Sequence, residues 1–272
     1  TISTTEIYAA STFKSDINEK LDVTATAGIE SRKWNSRSIT AESNGGLTIP
    51  GIYTVASSQD RPIYTNREFN EDNIGIFTTA SLGYDDMIFI DGSLRADWNS
   101  RANRNDNRVI TFGGSGSFIF SKLIESEVLS FGKLRVGYAE APSFPALNSL
   151  DQTFNTGNSY NGTIPFYPTA VQSNPEITGG VRQEFEVGTE LQFFSNRLRF
   201  DFTYFDRKDI NLPINVPISS ASGYTSSAIN SGKFSSNGIE MSIGGTPIKN
   251  DDFTWDVNLN IATLKRTVDE LY

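Results

Sequence analysis

Apolar and polar residues alternate with a period of two along much of this chain. The clearest runs are 21–30, 88–98 and 197–204; in the last, Leu198 and Phe200 are flanked by charged residues. Because successive side chains of a β-strand point to opposite faces, each run predicts a strand with one apolar and one polar face.

The runs come in pairs, and about ten strands are predicted. The connection within a pair is short, whereas the connection between pairs is long and polar. This order predicts five antiparallel hairpins, and a soluble sandwich has no reason to keep it over all five. The predicted strands are Glu6–Phe13, Leu21–Trp34, Asn73–Tyr84, Ile88–Trp98, Val109–Phe120, Phe131–Ala141, Val181–Phe194, Arg197–Lys208, Asn230–Gly245 and Phe253–Lys265.

Two short turns predict the register of their hairpins. If Ser195-Asn196 is the turn, Phe193 lies opposite Leu198. A turn over 85–87 likewise places Tyr84 opposite Ile88. A slip of one residue would move every apolar side chain to the polar face, so the pattern specifies this register strongly.

Short turns on one rim, long loops on the other and one continuous apolar face are the layout of a transmembrane β-barrel. We therefore predict an all-β, antiparallel transmembrane barrel in the bacterial outer membrane, in contact with its lipid. The alternative is a β-sandwich that buries the apolar stripes against a second sheet. On the barrel interpretation the polar face lines the lumen, and the residues expected there are Glu186, Glu190, Arg199 and Asp201.

Ten strands with open edges are not a stable membrane structure, because unpaired backbone groups are not tolerated in lipid. We expect residues 1–272 to be one segment of a larger barrel. Composition excludes several other classes: the net charge of −9 disfavours nucleic acid, and the chain has neither histidine nor cysteine. We therefore predict no catalytic residue, no metal site and no cofactor. No continuous apolar stretch of the sequence is long enough to form a transmembrane helix.

Several motifs occur in a fixed order in the second half of the chain. Residues 174–177 read Asn-Pro-Glu-Ile, 184–188 read Glu-Phe-Glu-Val-Gly, 204–209 read Tyr-Phe-Asp-Arg-Lys-Asp, and 236–240 read Ser-Asn-Gly-Ile-Glu. This ordered set resembles the late barrel of SusC/RagA-type TonB-dependent transporters. The resemblance covers most of the chain from about Asn73 onward.

The resemblance implies active import of large nutrients, either oligosaccharides or peptides, across the outer membrane of Bacteroidota. It also implies a SusD-like surface lipoprotein that acts as a lid, and a TonB complex reached through a plug domain that is not in this sequence. Two alternatives remain open: a passive porin-like channel, and a structural barrel subunit of a secretion or adhesion complex.

Two long polar stretches, 35–71 and 142–180, are predicted to be extracellular recognition loops. They carry aromatic residues among Gly, Asn, Thr and Pro, a combination that suits sugars or peptides because rings stack while polar neighbours form hydrogen bonds. The alternative is that these rings only pack the loops together or against a lid. The candidate ligand-binding residues are Tyr53, Tyr64, Phe154, Tyr160, Phe166 and Tyr167.

Overall fold

A computed structural model describes residues 1–157 and 160–271 of the chain. In these residues the main sheet has eleven strands, of which ten are antiparallel neighbours in the order β1-β2-β3-β4-β5-β6-β10-β11-β12-β13. Each hairpin follows the one before it, so neighbours in sequence are neighbours in the sheet. These strands are Ile2–Asn18 (β1), Leu21–Leu47 (β2), Ser58–Tyr84 (β3), Ile88–Asn99 (β4), Arg108–Phe118 (β5), Leu129–Ser143 (β6), Gly180–Phe193 (β10), Leu198–Pro217 (β11), Ser226–Lys249 (β12) and Thr254–Glu270 (β13).

Three short strands lie in the connection between β6 and β10. Phe154–Thr156 (β7) and Phe166–Pro168 (β8) form a small ribbon of their own, and Val171–Gln172 (β9) pairs in parallel with the start of β12. Single 3-10 turns occupy Val55–Ser57, Phe120–Leu123 and Ser220–Ser222. In the described part of the chain, no helix is long and apolar enough to cross a membrane.

The predicted registers are confirmed. Phe193 pairs with Leu198, and Tyr84 pairs with Ile88. The turn after β10 is tight: Ser195 and Asn196 adopt left-handed backbone conformations, with φ of 55° and 67°. Asparagine tolerates this region better than most residues, which favours a reversal at this point.

The two faces of the sheet differ in chemistry along its whole width. On one face, here called the apolar face, large side chains remain open to the surroundings; Ile76, Ile90 and Leu134 are each about half exposed, at 50%, 55% and 50%. Within the described residues, no second sheet covers them. A sandwich would have buried these side chains, so the apolar face is one that a bilayer covers.

Two predicted boundaries are wrong in an instructive way. Residues 35–71 are not one loop: β2 continues to Leu47 and β3 begins at Ser58, so the connection is only 48–57. Strands β1, β11 and β13 are also longer than predicted. β1 pairs with β2 only as far as Ser36, and β4 pairs with β3 only as far as Asn73. The part of the β2–β3 hairpin that extends past these two residues therefore has no flanking strand in the described part of the chain. Alternation of apolar and polar residues arises where one face of a strand is buried. Residues 37–47 and 58–72, here called the outer ribbon, have no buried face, so their sequence does not alternate.

Connections alternate between the two rims as predicted. The connections 48–57, 100–107, 144–179 and 218–225 all leave from one rim, here called the long-loop rim. The longest, 144–179, is the loop that contains β7 to β9. Strands β1 and β13 lie at the two ends of the sheet and do not pair with one another in the described residues.

Candidate functional site

The second face of the sheet, here called the polar face, carries a line of charged side chains held in pairs. Arg135 of β6 donates from two nitrogens to the two carboxylate oxygens of Asp201 on β11, both at 2.8 Å, and also to Thr203 at 2.5 Å. Such forked pairs are geometrically specific and stronger than single contacts. Arg135 and Asp201 therefore bridge across β10, which lies between their strands.

Further ion pairs continue along the same face. Arg182 donates to Asp209 at 2.6 Å, and Arg207 pairs with Glu184. On the same face, nearer the β1 end of the sheet, Arg95 of β4 donates to Asp97 and to Glu30. Opposite charges thus neutralise one another across the polar face, as expected of a wall that faces water rather than a site prepared for one ion.

The four residues predicted to face the lumen all lie on this polar face. Glu190 is directly opposite Asp201, and Arg199 is two residues from Asp201 on β11. Glu186 lies beside a shallow concavity of about 470 Å³ whose floor is made by small residues of β4, β5 and β6. The floor residues are Ser93, Gly113, Ser115 and Gly137.

Loop 144–179 is fastened to the long-loop rim at its C-terminal end. The carbonyl oxygen of Ile177 accepts a hydrogen bond from the backbone N–H of Asn103 at 2.8 Å, and the Asn103 amide donates to Glu176 at 3.0 Å. Ile177 is only 1% exposed. The Asn174 side chain also accepts from the Glu176 N–H at 2.9 Å, which closes a turn at this point. The Asn-Pro-Glu-Ile motif is therefore an anchor.

A second anchor is one side chain of β12. Asn230 accepts from the backbone N–H of Thr178 at 2.7 Å and donates to the carbonyl oxygen of Thr178 at 2.9 Å. The same amide donates to the carbonyl oxygen of Asn211 at 3.2 Å. A Cβ on Gly180 would lie 2.5 Å from that carbonyl oxygen, so glycine is required here. We call Asn103, Glu176, Ile177, Thr178 and Asn230 the loop clamp.

The aromatic candidates lie in three different places. Phe154 and Phe166 share one face of the β7–β8 ribbon, because Phe154 pairs with Pro168 and Thr156 pairs with Phe166. Tyr167, between Phe166 and Pro168, points to the other face, over Gly157. Tyr160 lies at the ribbon's tip and is 78% exposed. The ribbon therefore brings Phe154 and Phe166 together but separates Tyr167 from them.

The other two candidates belong to the β2–β3 hairpin and its connection. Tyr53 lies in the 48–57 connection and is 86% exposed. Tyr64 was predicted to lie in a loop, and this prediction is wrong: Tyr64 lies in β3, opposite Ala41. Its register places it on the same side of the sheet as Ile76, away from the polar face. Ligand contact by any of the six aromatic residues stays a prediction.

A second cavity, of about 180 Å³, lies where the outer ribbon begins. It is lined by Arg32, Trp34, Glu71, Asn73 and Leu147. The cavity is not evident from the sequence, because Trp34 ends one predicted strand and Glu71 ends a predicted loop, so no pattern links them. Had the hairpin been predicted to extend to these residues, its register would have paired Trp34 with Glu71. Among the described residues, no group of three metal-binding side chains occurs.

An antiparallel sheet with a bilayer-facing side, a charged inner side and loops fastened over one rim defines a β-barrel protein of the outer membrane. The comparison with protein families specifies the class further. The chain belongs to the family described as TonB dependent receptor-like, beta-barrel, whose model matches residues 3–270.

Curated relatives agree with this assignment. The chain is 24% identical over 280 aligned residues to TonB-dependent receptor P39 of Formosa agariphila, covering 95% of this chain and 25% of that protein. It is 23% identical to TonB-dependent receptor P3 of the same organism, covering 73% of this chain and 20% of that protein. The chain thus spans about a quarter of the curated relatives it matches.

Solved structures share the fold. The structure of the RagAB peptide transporter superposes with a TM-score of 0.88 at 22% identity, covering all of this chain and 31% of that one. The siderophore receptor PirA from Pseudomonas aeruginosa gives a TM-score of 0.60 at 12% identity, covering 99% of this chain and 44% of that one. The predicted resemblance to TonB-dependent transporters and the outer-membrane location are confirmed, and the fold is shared with the RagAB structure.

Proposed function

We propose that residues 1–272 form one segment of the barrel wall of an outer-membrane transporter that imports large nutrients, either oligosaccharides or peptides. The family and the relatives named above are receptors and transporters, which supports this class of function. On this proposal the chain does no covalent chemistry. It provides a water-filled passage and part of the surface on which cargo is captured.

The observation that carries the proposal is the loop clamp. It holds a long, aromatic-bearing loop at the rim of the polar face, where cargo would enter. Ile177 is buried and Asn230 bonds both backbone groups of Thr178, so the loop's base is ordered while its β7–β8 ribbon is exposed. An ordered base with an exposed aromatic tip is a suitable arrangement for recognising a polymer.

Residues in two zones have roles on this proposal. Phe154, Tyr160 and Phe166 present their rings at the loop's tip for first contact with cargo. Glu186, Glu190, Arg199 and Asp201 then line the aqueous path along the polar face. Energy comes through a plug domain and the TonB complex, which act outside these residues, and a SusD-like surface lipoprotein closes over the long-loop rim.

The proposal is tested by replacing the loop's tip, residues 150–170, with a short Gly-Ser linker in the complete protein. Residues 174–180, which include the clamp residues of the loop, stay in place. Uptake of the cargo should fall to background, while the amount of folded protein in the outer membrane stays the same. Unchanged uptake would remove the loop from the mechanism. The control is the linker variant with residues 150–170 put back at the same site, which should recover uptake.

The two alternative functions predict different results with the intact protein. A passive porin-like channel would conduct ions through a planar bilayer with no energy source, whereas a plugged transporter would conduct little. A structural subunit of a secretion or adhesion complex would co-purify with that complex and bind no nutrient. Energy-dependent uptake in whole cells separates the proposed function from both.

A further inference from the structure

Two directly opposite residue pairs at the long-loop rim enclose the smaller cavity. Arg32 pairs with Asn73, and Trp34 pairs with Glu71, across β2 and β3. Leu147, from loop 144–179, closes the cavity from the other side. All four strand residues lie on the polar face, because they are two and four residues along their strands from the pair Glu30–Gly75. The cavity therefore opens on the side along which cargo would pass.

We propose that this cavity is a subsite for one neutral sugar ring of an oligosaccharide cargo; the proposal rests on the import function proposed above. Pockets for drug-sized ligands range from about 300 to 1,000 Å³. The 180 Å³ of this cavity is smaller, so it suits a single unit of a polymer rather than a whole ligand.

Trp34 is the residue best suited to hold a sugar ring. Of the three tryptophans, all of which lie in the described part of the chain, only Trp34 is on the polar face; Trp98 pairs with Ile74 and lies on the apolar face. An indole ring offers a large flat apolar surface and one N–H donor. A sugar ring has a matching C–H face and hydroxyl groups at its edge.

The carboxylate of Glu71 is already neutralised by its surroundings. It accepts a hydrogen bond from the Asn99 amide at 2.9 Å and lies 3.3 Å from the guanidinium nitrogen Nε of Arg101. These contacts fix its orientation and leave acceptor capacity on its oxygens, since a carboxylate has about four acceptor positions. A cationic ligand would therefore gain little here, whereas a hydroxyl group can still donate to it.

The other polar groups of the cavity are arranged in the same way. Arg32 pairs with Glu6 of β1 at 3.3 Å, and the Asn73 amide donates to Asp97 at 3.3 Å. Arg32 keeps further donors, because a guanidinium carries five. The lining thus offers donors and acceptors without an uncompensated charge, and that chemistry recognises a neutral polyhydroxylated ligand better than a charged peptide side chain.

The experiment is a titration of the complete purified protein in detergent. Isothermal calorimetry measures binding of maltohexaose, xylohexaose, cellohexaose and mannohexaose, and a mixture of short peptides serves as the competing ligand class. We expect at least one oligosaccharide to bind. Trp34→Ala should weaken that binding by about tenfold or more, a loss typical of a central aromatic contact. Trp34→Tyr should keep most of the affinity.

Two further variants make the result specific to the cavity. Trp98→Ala, the same substitution on the opposite face, should leave the affinity unchanged and shows that loss of an indole alone has no effect. Leu147→Trp fills the cavity from the loop without altering any barrel strand, and should abolish the binding. It gives an answer even if Trp34→Ala does not assemble.

Each outcome decides between the proposals. Oligosaccharide binding that survives both Trp34→Ala and Leu147→Trp overturns the subsite. Binding of peptides alone overturns the sugar assignment but leaves the import function standing. If neither class binds and whole cells show no energy-dependent uptake of either, both the subsite and the proposed function are wrong.

Discussion

Asn230 holds Thr178 by both of its backbone polar groups. The Asn230 side-chain oxygen accepts from the Thr178 N–H at 2.7 Å, and its amide donates to the Thr178 carbonyl oxygen at 2.9 Å. The two residues are 52 positions apart in sequence. One side chain thus substitutes for a strand at the place where loop 144–179 returns to the barrel.

Asn230→Ala should release the base of loop 144–179 without preventing barrel assembly. The substitution leaves three backbone groups without their partner, the N–H and carbonyl of Thr178 and the carbonyl of Asn211, which costs about 1–3 kcal/mol of local stability. We expect hydrogen exchange at the Thr178 N–H to accelerate by about tenfold or more, measured by mass spectrometry of peptic fragments. Asn237→Ala, at an exposed position of the same strand, is the control and should change nothing. Equal exchange in the two variants would contradict the anchor.

Ile177→Ala should weaken the same loop by removing apolar packing rather than a hydrogen bond. Ile177 is 1% exposed, and truncation of a buried isoleucine costs about 2–5 kcal/mol. Cleavage of the loop by a low concentration of protease should become faster, with the barrel strands left intact. Ile177→Val, which removes one methylene group, should show a much smaller effect. Protease resistance equal to that of the unaltered protein would show that the side chain does not anchor the loop.

Gly238→Ala should impair assembly of the barrel. A Cβ at this position would overlap the carbonyl oxygen of Thr263 on β13 and would lie 2.7 Å from the ring of Phe205. Phe205 is 8% exposed and covers the glycine, an arrangement that stabilises sheets at glycine positions. We expect less of the heat-modifiable folded form on gels. Gly245→Ala, where the nearest atom is 3.7 Å away, is the matched control and should assemble normally.

A charge on the apolar face should be far more damaging than the same charge on the polar face. Ile76→Arg places a guanidinium against lipid, which costs up to about 2–4 kcal/mol depending on its depth in the bilayer. Thr79→Arg, three residues away on the polar face, faces the aqueous side and should be tolerated. The amount of each variant recovered in outer membranes is the measurement. Equal recovery of both would contradict the assignment of the two faces.

The pair Arg135–Asp201 should show a modest coupling energy. Its side chains are 32% and 40% exposed, so water and salt screen the charges and about 1 kcal/mol is expected. A double-mutant cycle of Arg135→Met and Asp201→Asn, read from urea unfolding of the complete protein, measures the coupling. Arg135→Lys should recover only part of it, because a lysine cannot form the two parallel hydrogen bonds of the fork. Zero coupling at low salt would contradict a stabilising pair.

The sequence by itself determined the strands that have one face covered. From Asn73 to Phe120, from Val181 to Lys208 and from Asn230 to Gly245, alternation indicated which side chains face lipid. The tight turns at 85–87 and 195–196 set the register. In these regions a single physical requirement, one apolar side and one polar side, acts on every residue. That requirement shows in the local order of residues, so it can be recognised without knowing the fold.

Only the tertiary structure decided the outer ribbon, the loop clamp and the small cavity. The ribbon has no buried face, so its strands leave no alternation to detect. The clamp joins Asn103 to Glu176 and Asn230 to Thr178, and each of these pairs is more than 50 positions apart in sequence. Trp34 and Glu71 become neighbours only through the register of β2 and β3. Each of these features depends on contacts between distant residues, and a local pattern carries no information about such contacts.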